Sequence, residues 1–219
     1  MKRRRLAVLV SGTGRNLAAI LDAMRRGEIR GQVSLVLSNR PGVRALDIAR
    51  EHAIPSAVTD HRDYADRPQF DAALAGAIDA SGAEAVVLAG FMRVLTGEFV
   101  QRYTGRMLNI HPSLLPLYRG LRTHQRALDD GQATHGASVH FVTPELDGGP
   151  VIKQGRIHIG PEDTADSLAA RIFAEVECRL YPEVVGWLTS GRLQLRHGRP
   201  ELDGEPLQAP LLEDYDAAS

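Results

Sequence analysis

Three residues of this sequence combine types and settings that suit catalysis: Asn109 and His111 in the run RMLNIHPSLLPLY, and Asp147 in ELDGGPV. An amide can donate to a developing oxyanion, an imidazole handles protons near neutrality, and a carboxylate orients that imidazole and favours its protonated form. Such a set suits acyl or formyl transfer. Taken singly, each residue reads more readily as a local cap or a structural polar group, so the setting has to decide.

If Met107 to His111 ends a strand, residues two apart share a face, and Asn109 and His111 project together while Ile110 turns away. Pro112 disfavours helix at His111 and stops the ladder, leaving the imidazole at a strand end beside a loop. Asp147 precedes Gly148-Gly149, where the absence of Cβ permits unusual φ values and close backbone approach.

The elements that must carry these groups alternate. Leu6 to Val10 is an apolar strand, Gly12 to Asn16 a turn, and Leu17 to Arg26 a helix with Leu17, Ile20, Leu21 and Met24 on one stripe, ended by Gly27. Val33 to Leu37, Ser56 to Val58 and Ala85 to Ala89 read as strands, Val43 to His52 and Phe70 to Ser81 as helices, with a loop through Arg67. That alternation predicts an α/β fold: a Rossmann-like, mostly parallel twisted sheet with helices on both faces. From Ala137 the pattern changes to Ser-Val-His-Phe-Val and then Pro150 to Ile159, predicting a strand pair at the far side of the sheet. Asp163 or Thr164 caps a long helix, kinked at Pro182 before Trp187. After Gly191 a short hairpin and a frayed end are expected.

The turn SGTGRN, between a buried strand and a helix, offers backbone N–H groups to a phosphate. A dinucleotide site fits less well. Leu17 stands where the third glycine of that fingerprint belongs, and the second strand ends in Ser38-Asn39-Arg40 without an acid for a ribose hydroxyl. A phosphate monoester fits better.

Composition limits the partners. Net charge is −1 with both signs interspersed, so there is no broad footprint for nucleic acid or anionic membrane, and small-molecule substrates are expected. Only five apolar residues follow MKRRR before SGTG, short of the roughly 7–15 of a secretory segment, and no run approaches the about 20 apolar residues of a membrane span. The start therefore reads as a first strand with a charged lead. Cys178 is the sole cysteine, consistent with a reducing, cytoplasmic setting; it reads as a small apolar helix residue.

Five segments carry a resemblance: LVSGTGRNL from Leu9, VVLAGFMRVL from Val86, LNIHPSLLP from Leu108, HGASVHFVTPELDGGPVI from His135 and EVECRLYP from Glu175. In that order and at those spacings the sequence is similar to the folate-dependent glycinamide ribonucleotide transformylases over roughly residues 6 to 193. The resemblance implies one formyltransferase domain over 1–193 and a C-terminal tail over 194–219. It further implies transfer of a formyl group from 10-formyltetrahydrofolate, as co-substrate, to the amine of glycinamide ribonucleotide in purine biosynthesis. No metal is implied, and a monomer or homodimer in the cytoplasm is.

Residue by residue, the resemblance assigns catalysis to Asn109, His111 and Asp147, and the substrate phosphate to Gly14, Arg15 and Asn16. It assigns the substrate amine to Glu177, and the folate to Arg67, Met92, Arg93, Val94, Leu95 and Asn109, with Val142 to Asp147 as the pterin-side wall. His140 is placed behind the catalytic groups, and Leu115-Pro116 resembles a cis peptide of this family. Relatives commonly have serine at Arg15, which here either charges the phosphate site or points to solvent. Leu117, Arg119 and Arg122 also depart from the family, and the two arginines are candidates for phosphate contacts. A methionyl-tRNA formyltransferase is expected to need a further basic C-terminal domain, and a formyltetrahydrofolate deformylase an additional N-terminal one. A sugar-nucleotide formyltransferase would keep the folate and catalytic residues and change the acceptor.

Overall fold

The computed structural model describes residues 4–216. Strand β1 (Arg4–Val10) shows why two layers of helices form: its unbroken apolar run is buried on both faces. Leu6, Val8 and Val10 enter one core and Ala7 and Leu9 the other, as the two-residue period of a strand requires. The first core is filled by α1 (Arg15–Arg25), α2 (Arg44–Glu51) and α7 (Cys178–Ser190). The second is filled by α3 (Arg67–Ala80) and α4 (Gly97–Arg102).

Eight strands make the main sheet. The remaining ones are β2 (Gly31–Ser38), β3 (Ser56–Val58), β4 (Ala85–Leu88), β5 (Met107–His111), β6 (Thr134–Phe141), β7 (Val151–His158) and β11 (Leu211–Asp214), in the order β11-β7-β6-β5-β4-β1-β2-β3. Strands β1 to β5 pair in parallel, β6 runs antiparallel to both β5 and β7, and β11 joins β7 in parallel. The chain order reverses at the β1/β4 boundary, the place where open α/β sheets leave a crevice beyond the strand ends. Tyr181 of α7 braces the neighbouring β4/β5 pair. Its fully buried hydroxyl lies 2.9 Å from the Leu88 carbonyl and 3.2 Å from that of Leu108, tying the end of β4 to the first residues of β5.

Several elements differ from the sequence reading. Helix α1 starts at Arg15 and α3 at Arg67, where the Asp66 carboxylate accepts from the Gln69 N–H as an N-cap and proline follows. The short helices α4 and α5 (Thr123–Asp129) are too brief to display a period. Thr164, in a capping box with Ser167, starts α6 (Ala165–Arg171). The expected long helix is then interrupted by a π-helical turn at Ile172–Glu177, upstream of Pro182, which lies inside α7.

Past Gly191 the chain forms a separate antiparallel sheet of β8 (Leu193–Arg196), β9 (Arg199–Leu202) and β10 (Glu205–Pro206). It then returns to the main sheet through β11. Lys153 of β7 secures that return, its ammonium 2.6 Å from Glu183 and 2.5 Å from Glu213. The frayed end falls partly on residues 217–219 and the charged lead partly on residues 1–3, which lie outside the described residues; Arg4 and Arg5 already belong to β1. Among the described residues no helix is long and apolar enough to cross a membrane.

Candidate active site

At the end of β1 the chain turns through Ser11–Gly14 into α1. Gly14 has φ +73°, and a Cβ there would stand 2.7 Å from Ala45 Cα, so only glycine fits. Helix α1 has no capping side chain and no acid in its first turn, which leaves its N-terminal N–H groups suited to an anion. Arg15 lays its guanidinium over the Phe173 ring, 4.3 Å from the centroid, a cation–π contact that turns the charge along the cavity wall. Asn16 Nδ2 donates to Glu177 Oε2 at 2.7 Å, while Asn16 Oδ1 is buried with no partner among the described residues. These residues line a cavity of about 290 Å³ with Ser11, Gly90, Met92, Pro112 and His124.

Glu177 reaches this cavity because the π turn ends on it. A π turn takes in an extra residue and shifts the face on which later side chains emerge. Burial pushes the Glu177 carboxyl above its ordinary pKa, against the Asn16 hydrogen bond and the nearby Arg15 charge.

Asn109 and His111 project from β5 on the side of Met107, which belongs to the α3/α4 core, whereas Leu108 and Ile110 enter the other core. Asn109 Nδ2 lies 3.1 Å from His140 Nε2, and His140 Nδ1 lies 2.9 Å from the Phe141 carbonyl. The carbonyl accepts only, so His140 Nδ1 carries the proton and Nε2 receives one from the Asn109 amide. Burial lowers the His140 pKa, holding the ring neutral. This assigns the Asn109 amide orientation and leaves its second N–H for a ligand.

His111, 6% exposed, has Nε2 2.9 Å from the Tyr118 carbonyl and Nδ1 3.4 Å from Asp147 Oδ2. Both ring nitrogens face acceptors, an arrangement an imidazolium satisfies in full. Asp147 Oδ2 also accepts from the Gly120 N–H at 2.9 Å, and Oδ1 lies 3.8 Å from His140 Nε2.

In the turn after the carboxylate, the unusual backbone falls on Asp147 itself, at φ +48°, and not on Gly148 or Gly149. The second glycine serves close approach instead: a Cβ on Gly149 would stand 1.8 Å from the Phe141 carbonyl oxygen. An ion pair between Arg119 and Glu145 closes the outside of the turn.

The segment after β4 is a partition. Ala89, Gly90 and Met92 line the cavity of the anion turn, whereas Leu88, Phe91, Arg93, Val94 and Leu95 line a second, largely apolar slot of about 100 Å³. Asn109, His140 and the wall from Val142 to Asp147 complete the slot.

The residues singled out in the sequence are distributed accordingly. Gly14, Arg15, Asn16, Met92 and Glu177 meet at the first cavity, and Arg93, Val94, Leu95, Asn109, His140 and Asp147 at the second. Met92 thus falls on the anion side of the partition. Arg67 is not brought to either lining; it opens α3. Arg119 and Arg122 line neither cavity, Arg119 being engaged with Glu145 and Arg122 preceding α5 at φ +56°. Leu115-Pro116 is cis. Sequence reasoning passed over Phe173, His124 and Ser11. Ser11 stood inside SGTGRN, but its hydroxyl acts on a residue far along the chain.

Residues 4–185 match the formyl transferase family. The phosphoribosylglycinamide formyltransferase of Escherichia coli (strain K12) is 45% identical over 202 residues, spanning 92% of this chain and 95% of that protein. The structure of the phosphoribosylglycinamide formyltransferase from Coxiella burnetii superposes with a TM-score of 0.92 at 43% identity, covering 97% of this chain and all of the other. A formyltetrahydrofolate deformylase from Pseudomonas putida superposes at 0.82 with 30% identity, and there the match spans 92% of this chain but 70% of that one.

Proposed function

The chain belongs to the formyl transferase family, and from that premise we propose that it transfers the formyl group of 10-formyltetrahydrofolate to the amine of N1-(5-phospho-D-ribosyl)glycinamide, a step of purine biosynthesis. The observation that carries this reading is the convergence of Asn109, His111 and Asp147 beside a partition with an anion-binding turn on one side and an apolar slot on the other. Two ligands of opposite character thereby meet at one set of polar side chains.

The ribonucleotide phosphate lies at the α1 N-terminus with Gly14, Arg15 and Asn16, and the Glu177 carboxylate holds the amine end. The folate ring lies in the slot between Arg93–Leu95 and Val142. At about 100 Å³ the slot is below the roughly 300–1,000 Å³ of ligand pockets, so entry of the donor draws the 143–147 wall outward against its Arg119 and Gly120 ties.

The neutral amine attacks the formyl carbon, a C–N bond forms, and the carbonyl electron pair moves to oxygen. The free N–H of Asn109 meets that oxyanion, with the His111 imidazolium supplying positive charge beside it. Asp147, whose Oδ2 lies 3.4 Å from that ring, relays the proton, directly or through water, from the attacking nitrogen to the departing N10. Collapse releases tetrahydrofolate and the formylated ribonucleotide. Hydrolysis of the donor is the second reading, favoured by the deformylase likeness; the Arg15–Asn16–Glu177 cavity gives it no role. The test is mass spectrometry of the ribonucleotide after incubation with 10-formyltetrahydrofolate and protein. A formylated product supports the proposal, and an unchanged ribonucleotide beside consumed donor overturns it.

A further inference from the structure

The partition between the two cavities is held at three points. The Ala89 N–H donates to the Leu9 carbonyl at 2.9 Å. The Met92 N–H donates to Ser11 Oγ at 2.8 Å, and that hydroxyl donates to Asn39 Oδ1 at 2.6 Å. At the far end the Thr96 N–H donates to Asp71 Oδ2 at 2.6 Å. The first two are ordinary ties, a backbone bond and a satisfied hydroxyl.

The third tie has an energetic cost. Asp71 sits on α3 at 3% exposure, and its Oδ1 is sealed from solvent with no hydrogen-bond partner among the described residues. A buried carboxylate with one oxygen unsatisfied costs free energy that an apolar side chain would not. Capping of α4 does not require it, because Thr96 Oγ1 itself accepts from the Phe99 N–H at 3.3 Å. What the carboxylate alone supplies is a fixed end point for residues 93–95, which form one wall of the apolar slot. The neighbouring Phe70 ring lies under the Arg93 guanidinium, 5.9 Å from its centroid, so α3 holds this end of the wall twice.

We infer that Asp71 is a positioning residue for the donor side of the site: it sets the slot through Thr96 and touches neither substrate. The functional half of this inference rests on the proposed formyl transfer; the structural half does not.

Two readouts keep them separate. In Asp71→Ala and Asp71→Leu, amide hydrogen exchange is expected to quicken across residues 93–96 while Ala89, Met92 and residues 12–18 keep parental protection, whether or not the protein turns over. The melting temperature should be equal or raised. In turnover assays the KM for 10-formyltetrahydrofolate should rise about tenfold, the order expected for losing one charge-assisted hydrogen bond, with the ribonucleotide KM held by the Ser11 tie. Asp71→Asn keeps an acceptor for Thr96 and should restore most of the donor KM. Should neither apolar variant fold, Thr96→Pro, at a φ of −70° that proline accepts, removes the same N–H together with the cap on Phe99, and Thr96→Ala removes the cap alone: the donor KM must rise in the first and not in the second. Unchanged exchange at 93–96 overturns the positioning role. Altered exchange with an unchanged donor KM, or equal rises in both KM values, overturns its assignment to the donor. Absence of formyl transfer by the parent protein counts against the proposed function instead, and the exchange result then decides the Asp71 tie alone.

Discussion

The Asn109 amide and the His140 ring form a fixed pair: Nδ2 lies 3.1 Å from Nε2, and the ring's other nitrogen is committed to the Phe141 carbonyl. The neutral ring thereby selects which end of the amide faces the slot. Asn109→Ala should lower turnover about 10²–10³-fold, as for loss of an oxyanion donor. His140→Ala, which frees the amide to rotate, should cost less and act on kcat more than on either KM. Steady-state kinetics of both variants check this ordering, and a double variant no worse than Asn109→Ala would place the two residues on one pathway.

His111 and Asp147 face each other at 3.4 Å, with the Tyr118 carbonyl at the outer imidazole nitrogen and the Gly120 N–H donating to the same carboxylate oxygen that faces the ring. Asp147→Asn keeps the shape and removes the charge, so turnover should fall on the order of 10²–10⁴-fold with little change in melting temperature. His111→Ala should fall in the same range. Retention of near-parental turnover in either folded variant would remove the proton-handling role.

Glu177 predicts an opposition between stability and function. Burial raises its pKa, so the unfolded chain ionises it more easily than the folded one. Its protonated form favours the fold below the unfolded pKa, and that benefit is lost as pH rises through the folded value. Glu177→Gln should therefore raise the melting temperature at neutral pH, with the gain vanishing in acid, while the KM for the ribonucleotide increases at least about tenfold, as for loss of a hydrogen bond to a charged group. Parallel thermal melts and kinetics decide it.

His135 predicts a second pH effect of opposite sign. It is 1% exposed, and burial, reinforced by His124, lowers its pKa to about 4. The unfolded chain takes up this proton near the ordinary histidine value, so its share of stability is complete at neutral pH and is lost between about pH 6.5 and 4. A shift of that size corresponds to about 3 kcal/mol at about 1.4 kcal/mol per unit. Urea unfolding across that window should show the loss, and His135→Gln should flatten it.

Much of this site was legible because it hangs on local backbone chemistry. The strand end at Asn109–His111, the proline behind it and the glycines after Asp147 each restrict conformation within a few residues, and the strand alternation around them reports burial directly. What could not be read is what depends on contacts across the sheet. The π turn that aims Glu177, the stacking of Arg15 on Phe173, and the ties from Ser11 and Asp71 join residues far apart in sequence, with no periodicity to announce them. Arg67 shows the same limit from the other side: a loop inferred from weak pattern proved to be a capped helix start, and the residue lines neither cavity. The glycine pair after Asp147 was read for its φ freedom, whereas the fold uses Gly149 for close approach and places the left-handed residue at Asp147.

The most direct measurement mixes purified protein with 10-formyltetrahydrofolate and follows tetrahydrofolate release by absorbance, with and without the ribonucleotide. Release is expected to require the ribonucleotide and to stop when it is exhausted. Comparable release in its absence would contradict transfer to the ribonucleotide and make water the acceptor.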